Sequence, residues 1–127
     1  MIDQIHNVEI LVRDQERALA FYVDVLGFEK RDDMSIPGGG RWLTVGIPGA
    51  VTAIALSLPE GHDGGEPGGG TGIMLRTTDL RADYDRMLAA GVAFVQLPTE
   101  EPSGDIATWF DDPDGNRFFL IQSSDQG

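Results

Sequence analysis

The chain has 127 residues, of which 41% are hydrophobic and 24% charged, a mixture typical of one globular domain and too short for two ordinary ones. No apolar run reaches the ~20 residues that a membrane-spanning helix needs, and the chain starts without the features of a signal peptide, so we expect a soluble, cytoplasmic protein. The absence of cysteine excludes disulfides and thiolate metal sites, and the net charge of -12 disfavours nucleic acids and membrane surfaces as partners. The acid excess has two interpretations: a solubility bias of the source organism, or a field that attracts a cationic ligand.

The first predicted elements are a strand and a helix. The strand covers residues 8–12, Asp14 is a good N-cap, and Gly27 stands where a left-handed C-cap belongs. The apolar residues between these caps recur at helical spacing: Ala18, Leu19, Phe21, Tyr22, Val25 and Leu26. Three further strands are predicted over residues 28–32, 41–47 and 51–58.

The second half of the chain repeats this order of predicted elements. A strand is predicted over residues 73–77, Asp79 is the N-cap of a helix, and Gly91 ends that helix. One face of the helix carries Leu80, Tyr84, Met87 and Leu88. Strands follow over residues 92–97, 106–111 and 117–122, so each half is predicted to be a β-α-β-β-β module.

The predicted organisation is one domain made of two modules, over residues 1–58 and 71–122, with a short tail over 123–127. The join over residues 59–70 is half glycine and carries two prolines, so we expect neither helix nor strand there. The loop over residues 36–40 is predicted to be a mobile rim. A four-stranded sheet with one helix leaves its other face bare, and we expect the two bare faces to curve toward each other around a ligand cleft.

Two motifs at opposite ends of the chain indicate a family. Residues 12–28 fit the pattern V-x-D-x-x-x-A-x-x-F-Y-x-x-x-L-G-F, and residues 112–116 read D-P-D-G-N, a tight-turn sequence. The chain thereby resembles the glyoxalase/bleomycin resistance/extradiol dioxygenase group, the vicinal oxygen chelate superfamily. The resemblance implies an α+β fold in which two tandem βαβββ modules form a curved mixed sheet around a cleft, and it implies a homodimer.

The resemblance also implies where a metal would be bound. Metal-using members of the family place a histidine on the first strand of each half and a glutamate on the last. The corresponding positions here are Asn7, Gly72 and Gln122. These residues are poor ligands for a divalent ion, so we expect no metal and no other cofactor. His6 is expected to point away from Asn7, although His6 with Glu9 stays an alternative route to a metal, and His62 is expected to be a solvated loop residue.

Strand alternation predicts which residues line the cleft. On the first strands these are Asn7, Glu9, Leu11, Gly72, Met74 and Arg76. On the last strand they are Phe118, Leu120 and Gln122, with Phe119 and Ile121 under the helix. Trp42 and Trp109 are either core residues or flat stacking plates with an indole N–H free to donate, and Met34 and Phe110 are weaker candidates of the same kind.

Glu9 has three interpretations. It could form an ion pair with Arg76, it could be exposed at the start of its strand, or it could dock a ligand amine or guanidinium. The candidate ligand-binding set is therefore Asn7, Glu9, Met34, Trp42, Arg76, Trp109, Phe110 and Gln122.

Two functions follow from these expectations. The first is a metal-independent binding protein that sequesters an antibiotic of the bleomycin, mitomycin or enediyne type, with a cationic or polycyclic aromatic ligand. The second is an enzyme, either a metal-dependent lyase, isomerase or dioxygenase, or a tailoring enzyme of natural-product synthesis. The sequence contains no G-x-S-x-G nucleophile elbow and no phosphate-binding P-loop, which leaves the family chemistry as the enzymatic option.

Overall fold

The computed structural model describes residues 1–60 and 65–124, and the chain divides into two compact units, Met1–Gly68 and Gly69–Gly127. Each unit packs helical structure on one face of a β-sheet that mixes parallel and antiparallel strands, which gives the α+β class expected from the sequence. No helix within the described ranges is long and apolar enough to cross a membrane.

The first unit has the predicted β-α-β-β-β order. Its elements are β1 (Asn7–Leu11), α1 (Gln15–Ala20), a π-helical segment (Phe21–Val25), β2 (Glu29–Ser35), β3 (Arg41–Gly46) and β4 (Ala53–Ser57). The strands lie in the order β1-β4-β3-β2, with β1 parallel to β4 and the other pairs antiparallel.

The second unit has the same order with one strand divided in two. Its elements are β5 (Gly69–Arg76), α2 (Leu80–Ala89), β6 (Ala93–Phe94), β7 (Thr99–Glu100), β8 (Ile106–Asp111) and β9 (Asn116–Gln122). The strands lie in the order β5-β9-β8-β6, and β7 also pairs with β8. The single strand predicted over residues 92–97 was wrong, because the chain leaves the β8 ladder before Pro98, which has no N–H to donate to it.

The glycine-rich join also departs from the prediction. Gly69 and Gly70 belong to β5 and pair with Asn116 and Arg117 of β9, although their composition argued against a strand. A neighbouring strand supplies these hydrogen bonds whatever the intrinsic preference of the residues. A register shift follows before Met74, where Gly72 has a φ of 74° that favours glycine.

The helix caps are those predicted from the sequence. The Asp14 carboxylate accepts from the N–H groups of Glu16 and Arg17 at 3.0 and 3.1 Å, and Asp79 accepts from Ala82. The helices are followed by the left-handed glycines Gly27 and Gly91, with φ of 81° and 92°. These caps and glycines therefore mark where the two helical segments begin and end.

The helix-facing side of each sheet forms a core. In the first unit it contains Ile10, Val12, Ala18, Phe21, Tyr22, Leu43, Val45, Ile54 and Leu56. In the second unit it contains Leu80, Met87, Val92, Phe110, Phe118 and Leu120. The expectation that Phe118 and Leu120 face away from the helix was therefore wrong, and Phe119 and Ile121 take the opposite face.

Candidate functional site

The open face of the second sheet carries a row of large apolar side chains, Trp109, Phe119 and Met74, here called the aromatic row. These residues are register partners across β8, β9 and β5. The Trp109 and Phe119 rings lie 4.7 Å apart at an interplanar angle of 57°. Trp109 is 39% exposed and Met74 is 73% exposed, so neither is a core residue. The row is an apolar surface open to a ligand, and its two rings are tilted relative to each other.

Charged residues lie on both sides of the aromatic row. Arg76 is exposed and pairs in register with Ile121. On the other side the Arg117 guanidinium donates to the Asp111 carboxylate at 2.8 and 3.1 Å, and this hydrogen bond raises the pKa of Arg117. The row therefore has a cation on one side and a matched ion pair on the other. The proposed pairing of Arg76 with Glu9 stays a prediction.

The first unit contains a cavity of about 300 Å³, here called the end pocket. It brings together Glu9 and Trp42, both predicted from the sequence. Among the residues that the structure describes, the pocket is lined by Glu9, Gln15, Ile36, Gly39, Gly40, Arg41, Trp42, Ser57, Leu58 and Glu60. Met34 is the register partner of Trp42 on the neighbouring strand and is 55% exposed.

Trp42 is held in one orientation by Asp32. The indole Nε1 donates to Asp32 Oδ2 at 3.3 Å, and the Thr44 hydroxyl donates to the same oxygen at 3.1 Å. Of the two interpretations of Trp42, the stacking plate included an indole N–H free to donate to a ligand, and this part is wrong because Asp32 accepts that N–H. Trp42 therefore offers the pocket its ring and not its donor.

Arg41 is a lining residue that the sequence analysis missed. Its guanidinium donates to both oxygens of Asp33 at 2.7 and 2.8 Å, and its Nη1 lies 2.7 Å from Glu16 Oε1. The Arg41 hydrogen bond lowers the pKa of Asp33 to about 2, and hydrogen bonds to Asp33 and Glu16 raise the pKa of Arg41. Asp33 and Arg41 lie eight residues apart, on the two strands of a hairpin. Such an ion pair can be predicted only when the register between β2 and β3 is known.

The positions that bind a metal in metal-using family members carry Asn7, Gly72 and Gln122 here, which are poor metal ligands. Asn7 Oδ1 lies 3.0 Å from His6 Nδ1, which corrects the expectation that His6 points away, because β1 begins only at Asn7 and strand alternation does not reach His6. Gly72 offers no donor atom, and the open face of β9 presents Phe119 and Ile121. Within residues 1–60 and 65–124, no group of three or more histidine and carboxylate side chains could hold a metal ion. His62 lies outside the described residues.

Gln122 and Phe110 lie on the helix side of the second sheet. Gln122 Oε1 accepts from the Leu80 N–H at 2.8 Å, at the start of α2. Phe110 is 1% exposed, with its ring centroid 5.4 Å from that of Phe118 and 6.1 Å from that of Phe94. Both residues were predicted to contact a ligand, and the structure instead places them in a helix cap and in the core.

The structure adds Phe119 and Met74 to the candidate set. Phe119 was assigned to the wrong face, because the run Phe118-Phe119-Leu120-Ile121 is apolar throughout and shows no alternation. The signal that identifies Phe119 is its pairing with Trp109, which only the strand register reveals.

Comparisons with known proteins agree with this architecture. A sequence profile described as Glyoxalase/Bleomycin resistance protein/Dioxygenase superfamily matches residues 4–120. A crystal structure of a member of that superfamily from Sphaerobacter thermophilus is 48% identical, covers 96% of this chain and 98% of its own, and superposes with a TM-score of 0.91. TnmS3, an antibiotic binding protein from Streptomyces sp. CB03234, is 36% identical over 97% of this chain and 98% of its own, with a TM-score of 0.86.

A curated relative carries an enzyme name. The protein called probable lactoylglutathione lyase in Synechocystis is 30% identical over 91% of this chain and 92% of its own length. The sequence match, the fold and the two terminal motifs agree, and the chain belongs to the Glyoxalase/Bleomycin resistance protein/Dioxygenase superfamily.

Proposed function

We propose that this protein binds a planar aromatic small molecule of the antibiotic type and sequesters it without a metal ion. The observation that carries the proposal is the aromatic row, in which the Trp109 and Phe119 rings lie 4.7 Å apart on the open sheet face and Trp109 is 39% exposed. Metal-using members of the family need a carboxylate on the cleft-facing side of the last strand. Here that side carries Phe119 and Ile121, so stacking takes the place of coordination.

The energetics of the row favour a flat, apolar ligand. An aromatic pair in offset or edge contact contributes about 0.5–1.5 kcal/mol beyond the burial of its surface. Met74 adds a polarisable thioether that adapts to the ligand outline. A rigid polycycle placed over the row loses little conformational entropy on binding, so less of this contact energy is offset by ordering of the ligand.

The similarity to TnmS3 supports an antibiotic as the ligand. That protein is an antibiotic binding protein, and its chain and this one cover each other almost completely at 36% identity. A protein that holds a toxic compound without altering it protects the cell by lowering the free concentration of that compound. Self-resistance by sequestration is the role that we assign to this chain.

The proposal is tested by titrating the protein with bleomycin, mitomycin C and an anthraquinone while tryptophan fluorescence is followed. We expect at least one compound to quench the emission with saturation. Phe119→Ala keeps both tryptophans and should weaken binding about tenfold, because it removes the central ring of the row. Leu97→Ala removes another exposed apolar side chain of the same unit, which is 71% exposed, and serves as the matched control. A flat response to all three compounds would contradict the proposal.

The enzymatic alternative is favoured by one observation, the 30% identity to the probable lactoylglutathione lyase of Synechocystis. A metal-dependent lyase would need a set of ligands that Asn7, Gly72 and the open face of β9 do not provide. Elemental analysis distinguishes the two functions. Stoichiometric zinc, nickel, iron or manganese in the purified protein would favour the enzyme over the binding protein.

A further inference from the structure

We infer that Arg76 binds an acidic oxygen carried by the aromatic ligand, either a carboxylate or an ionised phenol. This inference rests on the proposed function and specifies which polar group the ligand carries beside its rings. All the residues involved belong to the second unit, where Arg76 and the aromatic row share the open face of one sheet.

Arg76 lies next to the aromatic row. On β5 it stands two residues after Met74, and strand alternation gives the two side chains the same face. Met74 pairs in register with Phe119 of β9, and Arg76 pairs with Ile121. Two residues of a strand span about 7 Å, so a ring system stacked on the row brings a substituent at its edge within reach of the guanidinium.

The charge of Arg76 is unmatched in the described part of the second unit. Within residues 69–124 its guanidinium forms no ion pair and no side-chain hydrogen bond. The first two acids that follow it in the chain are engaged elsewhere. Asp79 accepts from the Ala82 N–H at the start of α2, and Asp83 accepts from the Thr77 hydroxyl. An exposed guanidinium without a carboxylate beside it keeps its donors for water or for a ligand.

Arg117, on the other side of the row, is not equivalent to Arg76. Its Nε and Nη2 donate to the two oxygens of Asp111 at 2.8 and 3.1 Å, so this pair adds no net charge. A ligand anion at Arg117 would have to compete with that carboxylate for the same donors. The acidic group of the ligand is therefore favoured on the Arg76 side, which gives the ligand one orientation on the sheet.

The net charge of -12 does not cancel this local attraction. At an ionic strength of about 0.15 M the Debye length is about 8 Å, so exposed charges further away are largely screened. A ligand carboxylate that accepts from a guanidinium approaches it to about 2.8 Å, and a bidentate pair forms two charge-assisted hydrogen bonds. The nearby cation therefore decides the preference.

Two anthraquinone probes of nearly the same shape test the inference. Anthraquinone-2-carboxylate is ionised at neutral pH, whereas anthraquinone-2-carboxamide is uncharged. By isothermal titration calorimetry the carboxylate should bind about fivefold more tightly than the carboxamide. Arg76→Gln should abolish this preference, and Arg76→Lys should keep part of it, because lysine retains the charge but not the bidentate donors. Arg81→Gln makes the same change of net charge at an exposed residue of α2, on the other side of the sheet, and should keep the preference.

The outcomes separate this inference from the proposed function. Equal affinity of the wild-type protein for the two probes would overturn the role of Arg76 and leave aromatic binding intact. A preference that survives in Arg76→Gln would overturn that role as well. A preference that shrinks between about 0.02 M and about 0.5 M NaCl would support it, because salt screens an exposed ion pair. If neither probe binds while another compound of the titration does, the role of Arg76 is overturned and the proposed function stands. If no compound binds, both fail.

Discussion

Individual residues could be predicted where local chemistry decides their role. Asp14 and Asp79 were assigned as caps from their type and position, and the structure shows both accepting helix N–H groups. Phe110 and Gln122 were misplaced, because neither strand shows clear alternation: Phe110 follows Trp109 directly on β8, and Gln122 ends a strand that is apolar on both faces. The role of a side chain on such a strand is set by tertiary contacts and not by its own sequence.

The Asp33–Arg41 pair makes stability depend on pH at the acidic end. The pKa of Asp33 is lowered from 3.8 to about 2 in the folded chain, mainly by the hydrogen bond from Arg41. A lowered pKa means that the ionised carboxylate stabilises the folded state above pH 3.8, and that this contribution is lost as the pH falls through about 2. The difference in unfolding free energy between wild type and Asp33→Asn should therefore shrink between about pH 5 and about pH 2.

Urea denaturation at several pH values measures this difference. Asp24→Asn makes the same substitution at another exposed aspartate, on the π-helical segment, and serves as the matched control. A constant gap between wild type and Asp33→Asn across the range would show that the ion pair does not act through the charge of Asp33.

At the scale of elements, helices were easier to predict than strand ends. Both helices and most strands lie where periodicity and caps placed them. The edge strand over residues 92–97 divided, and the join contributed Gly69 and Gly70 to β5, because pairing partners distant in sequence fix where an edge strand begins and ends. The amino-acid composition of these segments does not reveal which strand they will pair with.

The turn between β3 and β4 depends on Arg31 packing over Gly46. The Arg31 guanidinium donates to the backbone oxygens of Ile47 and Val51 at 2.7 and 3.2 Å, and a methyl group at residue 46 would overlap it. We expect Gly46→Ala to lower the free energy of unfolding by about 1–2 kcal/mol, because Arg31 must leave these acceptors.

Chemical denaturation of a double-mutant cycle tests this packing. In an Arg31→Ala background, Gly46→Ala should cost much less, because the group that it displaces is gone. Gly70→Ala provides the control, since a methyl group there meets nothing within 4 Å. Equal costs of Gly46→Ala in the two backgrounds would contradict the assigned role of Arg31.

At the scale of the whole molecule, the family was predictable from two short motifs. The opening and closing patterns stand near the two ends of the chain, and the family match over residues 4–120 contains both of them. The homodimer, the cytoplasmic location and the cleft shared by the two halves stay predictions.

We propose that the protein holds its ligand without a metal and without changing it. The most direct measurement is equilibrium dialysis of chelator-treated protein against the tightest-binding compound of the titration, followed by mass spectrometry of the recovered compound. We predict saturable binding that is unaffected by added zinc, nickel or manganese, and a recovered compound of unchanged mass. Binding that appears only after a metal is added, or a recovered compound of altered mass, would contradict the account.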